Sequence, residues 1–355
     1  MAETLIPLEE REEERRPSRV EPPRRIGGWV GKLALVLAVV ALAVACLAEA
    51  RELREAGVRA PILLLGYTPT DCAEELLHYG LTQTVYDLES ARAFSAAAQA
   101  AGRRLRIHVK ADTGMSRLGW LCDEGHRTEA ADAIAAVCAL PGLEVEGIYT
   151  HFANADGDEA YTMGQFTRFL ELLSELEGRG ITFPIRHCAA SAAVLKYPCT
   201  HLDMVRPGVA LYGHYPDPSC EGLDGVGLRP VMALKTRVAS VKAVPAGTPV
   251  SYGCTHVLER DAELAALTVG YADGLPRLCS DRLEVLIRGQ RAPIVGRVCM
   301  DMCMADATGL GAAPGDEVEL FGEHLPVEDA AALAGTIQYE LLCAVSPRVP
   351  REYLN

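Results

Sequence analysis

His108-Val109-Lys110-Ala111-Asp112-Thr113-Gly114-Met115-Ser116-Arg117-Leu118-Gly119 begins as a strand and ends in a glycine-containing loop. Lys110 stands where the apolar run stops, and Arg117 follows inside the loop. Segments of this kind recur along the chain. Strand candidates at residues 42–46, 62–65, 84–86, 106–109, 145–149, 185–187 and 204–206 alternate with amphipathic stretches at 48–56, 88–101, 130–139 and 161–179. The last of these repeats its apolar positions every three or four residues, as a helix requires. Strand, helix and strand at this spacing predict right-handed crossovers and a parallel sheet. Seven such strands point to a (β/α)8-type barrel that is one strand short of eight.

The pattern changes after about residue 228. Residues 231–244, 262–269, 283–287, 292–304 and 317–321 are β-rich, with turn signals at Pro245-Ala246-Gly247, Arg288-Gly289-Gln290 and Pro314-Gly315-Asp316. No long helix is expected before residues 327–333. The predicted organisation is a charged, disordered arm over 1–30, a barrel domain over 31–228 and a mostly β domain over 229–355. The arm carries Glu12, Glu13, Glu14, Arg15 and Arg16 among several prolines, a solvated composition.

Residues 33–48 hold sixteen residues in a row without a polar side chain. A membrane-spanning helix needs roughly 20, and residues 42–45 serve better as a buried parallel strand. The expectation is a cytoplasmic protein, with a membrane anchor through 33–48 as the alternative. At 355 residues there is room for two domains, and 49% hydrophobic with 6% aromatic content suits an α/β protein. A net charge of −14 excludes a nucleic-acid partner, since nothing would neutralise phosphates. The twelve cysteines are scattered without a CxxC pair and read as free, mostly buried thiols. Cys299 and Cys303 lack further clustered ligands, so no metal site is expected.

Reactive side chains of a barrel belong at the C-terminal ends of its strands. Lys110 and Arg117, then His151 in Tyr149-Thr150-His151-Phe152, Ser191 in His187-Cys188-Ala189-Ala190-Ser191 and Arg206 in Val205-Arg206-Pro207-Gly208 all occupy such positions. Together they make a pocket suited to an anionic ligand.

Here the chain resembles the alanine racemase family. The resemblance rests on residues 110–119, 150–153, 187–193, 203–213, Val250-Ser251-Tyr252-Gly253, Gly270-Tyr271-Ala272-Asp273-Gly274, 296–301 (with Val298-Cys299-Met300-Asp301) and 335–353, in order and at the family's spacing. It covers residues 41–355. It implies a pyridoxal-phosphate-binding barrel followed by a β domain, a homodimer, and interconversion of L- and D-alanine through a carbanion stabilised by pyridoxal 5′-phosphate, for peptidoglycan precursor supply. An α-proton is too weakly acidic to leave near neutral pH unaided, so the cofactor serves as electron sink, and racemisation needs a base on each face.

By the same resemblance Tyr252 is one catalytic base and acts from the partner subunit. Arg206 faces the pyridine nitrogen and disfavours its protonation, His151 supports Arg206, and Ser191 contacts the phosphate. The Gly208 and Val209 turn offers backbone N–H groups to that phosphate, and Tyr339 stands on the phosphate side, favouring alanine over serine. Arg117 and the Met300 backbone receive the substrate carboxylate, Tyr271 lines the entrance, and Lys110 matches a lysine that can be carbamylated to hold Arg117. Ala190 departs from the asparagine usual before the serine.

One family feature is missing. The cofactor lysine normally lies in Lys-Ala-(Asn/Asp)-Ala-Tyr-Gly-His-Gly, about thirty residues before the strand matched by 42–46, and no such string occurs. Lys32 is the only lysine before Lys110 and precedes Ala43 by eleven residues, too few for a strand-helix-strand crossover. The expectation is a barrel lacking its normal first strand-helix unit, through a truncation, a shifted frame or a mis-assigned start, with racemase activity impaired. Residues 33–40 are expected to plug the gap. The alternative readings are a non-catalytic protein that binds pyridoxal phosphate or an amino acid, and a membrane-anchored serine or alanine racemase-like protein.

Overall fold

Leu105, Ile107, Val109 and Ala111 are buried on one face of a strand, while Arg106, His108, Lys110 and Asp112 share the other. This period of two organises the first half of the chain. The computed structural model describes residues 3–5, 41–225 and 227–354. They divide into two compact units, Met1–Leu211 with Tyr215–Gly227, and Tyr212–His214 with Leu228–Asn355.

The first unit runs β1 (Glu3–Leu5), β2 (Ala41–Val44), α1 (Leu47–Glu55), β3 (Ile62–Leu64), α2 (Ala73–His78), β4 (Thr82–Val85), α3 (Leu88–Ala100), β5 (Leu105–Asp112), β6 (Trp120–Leu121), α4 (Arg127–Cys138), β7 (Leu143–Tyr149), α5 (Glu159–Gly178), β8 (Ile185–Ala190), α6 (Ser191–Lys196) and β9 (Met204–Arg206). Strands β2, β3, β4, β5, β7, β8 and β9 pair in that order, all parallel, with β6 beside β5. The result is a barrel-like sheet with helical crossovers, as the spacing predicts. Glu3–Leu5, inside the segment expected as a disordered arm, instead pairs antiparallel with β2 and also contacts β9. A short strand of opposite direction thus stands beside β2 and against β9. The proposed plug at 33–40 lies outside the described residues.

Outward-facing residues of the sheet pack against the helices. Ile62, Leu64, Val85, Ile107, Val109 and Ile148 meet Phe94, Ile134, Phe169, Leu172 and Leu176 in one core. Helix α5 buries Thr162, Gln165, Phe166, Phe169, Leu172 and Leu176, a stripe at helical spacing. It starts where the Asp158 carboxylate accepts the Tyr161 N–H at 2.9 Å, and α3 starts where Asp87 accepts the Ser90 N–H at 2.7 Å. The inward face is mixed. Ala41, Ala43, Leu63 and Met204 form a small apolar cluster, while β4, β5, β7, β8 and β9 contribute polar side chains.

The second unit contains β10 (Leu234–Val244), β11 (Pro249–Val250), β12 (His256–Val257), β13 (Ala262–Leu267), β14 (Glu284–Ile287), β15 (Gln290–Pro293), β16 (Cys303–Asp306), β17 (Glu317–Phe321), α7 (Val327–Ala334) and α8 (Gln338–Ala344). Six strands make an antiparallel sheet in the order β15-β14-β17-β10-β13-β16, and β11 pairs with β12. The β-rich stretch 292–304 is split between β15 and β16 by a loop that carries Cys299 and Met300. All twelve cysteines are free thiols, but only Cys122, Cys188, Cys220, Cys279 and Cys303 are buried, fewer than the composition suggested. No helix among the described residues is long and apolar enough to cross a membrane, and Ala41–Val44 of the apolar run is the strand β2.

Phe169 is fully buried and its neighbour Leu170 is 41% exposed. Phe169→Ala is expected to cost about 3–5 kcal/mol in a urea titration, and Leu170→Ala less than about 0.5 kcal/mol. Equal effects would contradict the assignment of the buried face of α5.

Candidate active site

A cavity of about 310 Å³ opens among the ends of the parallel strands, lined by Lys110, Arg117, Tyr149, His151, Arg206 and small or apolar residues of β2 and the loop after β3. Three cations line it and no carboxylate does. Strand β5 delivers Lys110, which is 4% exposed, with its Nζ 5.2 Å from the centre of the Tyr149 ring. The loop that carries Arg117 is built on Asp112. Its Oδ1 accepts the N–H groups of Gly114, Met115 and Ser116 at 2.9, 2.9 and 3.1 Å, and its Oδ2 accepts that of Arg117 at 3.1 Å. Gly119 then returns at φ +125°, with the site of a Cβ only 2.6 Å from the Asp112 nitrogen, so only glycine fits.

Arg206 is completely buried at the end of β9. Its Nη1 donates to His187 Nδ1 at 2.6 Å, and its Nη2 to the Thr150 carbonyl at 3.0 Å, His151 Nδ1 at 3.0 Å and the Cys188 carbonyl at 3.2 Å. The Tyr149 ring lies 5.1 Å beneath the guanidinium carbon and stacks on His187, 4.6 Å apart and nearly parallel at 8°. The Arg206 Nε–H is buried and has no hydrogen-bond partner among the described residues. A buried donor of a charged group in this condition calls for an acceptor. A heteroaromatic ring nitrogen in the cavity would supply one, so the residues present fit a pyridine-type cofactor.

Ser191 opens α6, and its Oγ accepts the N–H groups of Gly208 at 2.8 Å and Ala210 at 3.3 Å. The Gly208 N–H, expected on a phosphate, is thus turned to Ser191 in this structure. Val209 is buried beside it.

In the second unit, Tyr252, Tyr271 and Met300 lie on three loops that are bonded to one another. Tyr271 N–H donates to the Cys299 carbonyl and Ala272 N–H to the Met300 carbonyl, both at 3.0 Å. Ser251 Oγ, preceding Tyr252, donates to the Arg297 carbonyl at 2.7 Å. Arg348 ties the same loops by ion pairs to Asp273 at 2.7 Å and Asp301 at 2.8 Å. Tyr252 is 74% exposed, with Met300 and Tyr271 also exposed. Tyr339 sits half-buried in α8.

The sequence reading missed His187, His108, Glu146 and Tyr149 as members of the site. His108 shares the inner face of β5 with Lys110 two residues on, and that parity was the available signal. Burial, ahead of the charge of Arg206, holds the His187 and His151 imidazoles well below their ordinary value, and burial also lowers His108.

The chain matches the family described as the alanine racemase N-terminal domain over residues 27–216 and the alanine racemase C-terminal domain over 231–353. It is 49% identical to an alanine racemase of Desulforamulus reducens over 329 residues, 92% of this chain and 88% of that one. It is 48% identical to an alanine racemase of Desulfovibrio desulfuricans over 317 residues, 88% of this chain and 84% of that one. Among solved structures, an alanine racemase of Clostridium difficile 630 superposes with a TM-score of 0.81 at 39% identity, covering 87% of this chain and 80% of that one.

Because the three histidines are held neutral in the folded state below the ordinary value of 6.5, the unfolded chain binds protons that the folded chain refuses. Their contribution is fully present above pH 6.5 and is lost as pH falls through that value, at about 1.4 kcal/mol per pH unit for each histidine. Urea unfolding between pH 7 and 5 should show this steep loss, and His151→Gln should remove about one proton from the slope. A flat profile would contradict the neutral assignment.

Proposed function

The chain belongs to the alanine racemase family of pyridoxal-phosphate-dependent isomerases, and on that premise we propose that its cavity takes pyridoxal 5′-phosphate and alanine for the interconversion of L- and D-alanine. The observation that carries this reading is the partnerless, buried Nε–H of Arg206 at a cavity lined by three cations and no carboxylate.

Bound there, the cofactor supplies an electron sink for the charge left when the α-proton is removed. The chain's own residues do the rest. Arg206 offers Nε–H to the ring nitrogen, and its permanent charge keeps that nitrogen from taking a proton. Ser191 and the Gly208–Val209 turn would hold the phosphate, and Tyr339 would serve the phosphate side. Arg117 receives the substrate carboxylate together with the Met300 N–H. Lys110, carbamylated, holds Arg117 with an anion in place of a second cation. Tyr271 narrows the entrance. Tyr252 takes or returns the α-proton through its phenolic oxygen, and its 74% exposure in the single chain suits a residue that a partner subunit covers. In this reading the protein works in the cytoplasm as a homodimer, where D-alanine feeds peptidoglycan precursors.

The base for the opposite face is the difficulty. Within these 355 residues only Lys32 precedes Lys110, and it lies too close to β2 to end a strand that a helix then follows. A polypeptide of residues 1–355 therefore holds the cofactor without covalent attachment and is impaired as a racemase. This favours, as the second reading for that polypeptide alone, a cofactor- or amino-acid-binding protein without turnover.

The test uses two chains. A companion carrying a strand-helix unit with Lys-Ala-Asp-Ala-Tyr-Gly ahead of Ala41 should racemise alanine, and its Tyr252→Phe variant should fall about 10²–10⁴-fold. Mixing that variant with the 355-residue chain, which keeps Tyr252, should restore activity in mixed dimers. Robust turnover by the 355-residue chain alone contradicts the impairment, and no rescue contradicts Tyr252 acting in trans.

A further inference from the structure

A line of polar contacts, two hydrogen bonds and one longer His–carboxylate contact, runs from Arg206 through the inside of the barrel away from the cavity. Arg206 Nη1 meets His187 Nδ1 at 2.6 Å, His187 Nε2 meets His108 Nδ1 at 2.8 Å, and His108 Nε2 reaches Glu146 Oε2 at 3.4 Å. His108 and His187 are essentially inaccessible to solvent, and Glu146 is partly open at the far end, where Thr82 Oγ1 donates to it at 3.2 Å and Arg106 stands 3.9 Å away.

The polarity of this line is fixed at one end by chemistry. Arginine has no acceptor, so His187 Nδ1 must carry the lone pair and His187 Nε2 the proton. That proton points at His108 Nδ1, which then accepts, leaving the His108 proton on Nε2 and directed at the carboxylate. A doubly protonated His187 would set N–H against N–H. The Glu146 carboxyl, held below its ordinary value chiefly by His108, accepts at the end of the line.

Three local features of the backbone serve this line. Between the pairs Ile107–Val145 and His108–Gly147 the register slips by one residue, so Glu146 is the extra residue of a β-bulge in β7. Bulges re-aim a side chain beside a site. Gly147 follows, and a Cβ there would stand 2.7 Å from His108 Cε1 and 2.9 Å from its Nδ1. A second bulge lies in β8 between His187 and Ala190.

We infer that Glu146 is a positioning residue for the cofactor reaction: through His108 and His187 it locks one tautomer order that holds the Arg206 guanidinium with its Nε–H presented to the cofactor ring nitrogen. The charged and titratable groups facing the line are Arg106 and Glu146 at one end, Tyr149 stacked along it, and Lys110, His151 and Arg206 at the other. The cofactor half of this inference rests on the proposed function. The tautomer half does not.

The experiment uses the 355-residue chain labelled at histidine nitrogens, with and without Glu146→Gln. Long-range proton–nitrogen correlation spectra of the parent, without cofactor, should show His108 and His187 as neutral Nε2–H tautomers from pH 6 to 8. A carboxamide can donate to His108 Nε2 as well as accept from it, so Glu146→Gln should let His108 also populate the Nδ1–H tautomer, which breaks its hydrogen bond from His187 Nε2–H and loosens the hold on Arg206. Binding of pyridoxal 5′-phosphate and of its analogue with carbon in place of the ring nitrogen then reads the Arg206 donor. The parent should prefer the nitrogen-containing ligand by about tenfold or more, and Glu146→Gln should erase most of that preference while both ligands still bind. An Nδ1–H tautomer or a charged imidazole at either histidine of the parent overturns the inference and needs no variant to fold. Unchanged tautomers together with unchanged discrimination in Glu146→Gln also overturn it. Relay tautomers in a parent that binds neither ligand sink the reading of the cavity and leave the tautomer half standing.

Discussion

A guanidinium buried without a carboxylate beside it is the constraint around which the first unit is arranged. Among the described residues Arg206 meets neutral acceptors alone, two imidazoles and two carbonyls. Charge taken out of water is tolerated only where hydrogen bonds replace the lost solvation. All four of these contacts require a histidine in a defined tautomer or a carbonyl at the ends of β7 and β8, so the register of those strands and the charge state of His151 and His187 are coupled. The third nitrogen, Nε, is left without an acceptor among the described residues.

The same demand explains why the barrel interior is polar on one side. A parallel sheet covered by helices buries both faces, and its inward residues are ordinarily aliphatic. Here the inward positions of β4, β5, β7 and β8 are Thr84, His108, Lys110, Tyr149 and His187. Thr84 and Tyr149 hydroxyls meet at 3.1 Å, and the Tyr149 ring lies beneath both Lys110 and Arg206. Aliphatic packing survives only in the Ala41, Ala43, Leu63 and Met204 cluster. Fold stability is therefore carried mainly by the outer layer between sheet and helices, which leaves the inner layer available for chemistry.

Much of this was legible in the sequence, and the reasons are local. The seven parallel strands showed as apolar runs between helix-period segments, and Lys110, His151 and Arg206 were found because barrel geometry puts strand ends at one mouth. Helices α2 and α6, at six residues each, are too short to show a period, and Glu3–Leu5 is three residues whose pairing is decided by β2, far along the chain. The line from Glu146 to Arg206 was illegible because it depends on lateral register among four strands and on two bulges. Neither is written in any window of neighbouring residues. Asp112 shows the intermediate case: its position was visible, but its role as acceptor for four backbone N–H groups needed the loop's path.

The central claim is that the cavity at Arg206 is a pyridoxal 5′-phosphate site in a chain without the family's lysine string. It is tested most directly by titrating the 355-residue polypeptide with pyridoxal 5′-phosphate, followed by borohydride treatment and mass measurement of the intact chain. The account predicts saturable binding of one cofactor per chain that dialysis reverses, no mass added by reduction, and binding weakened about a hundredfold or more by Arg206→Met. Absence of saturable binding, or binding that Arg206→Met leaves unchanged, would contradict it.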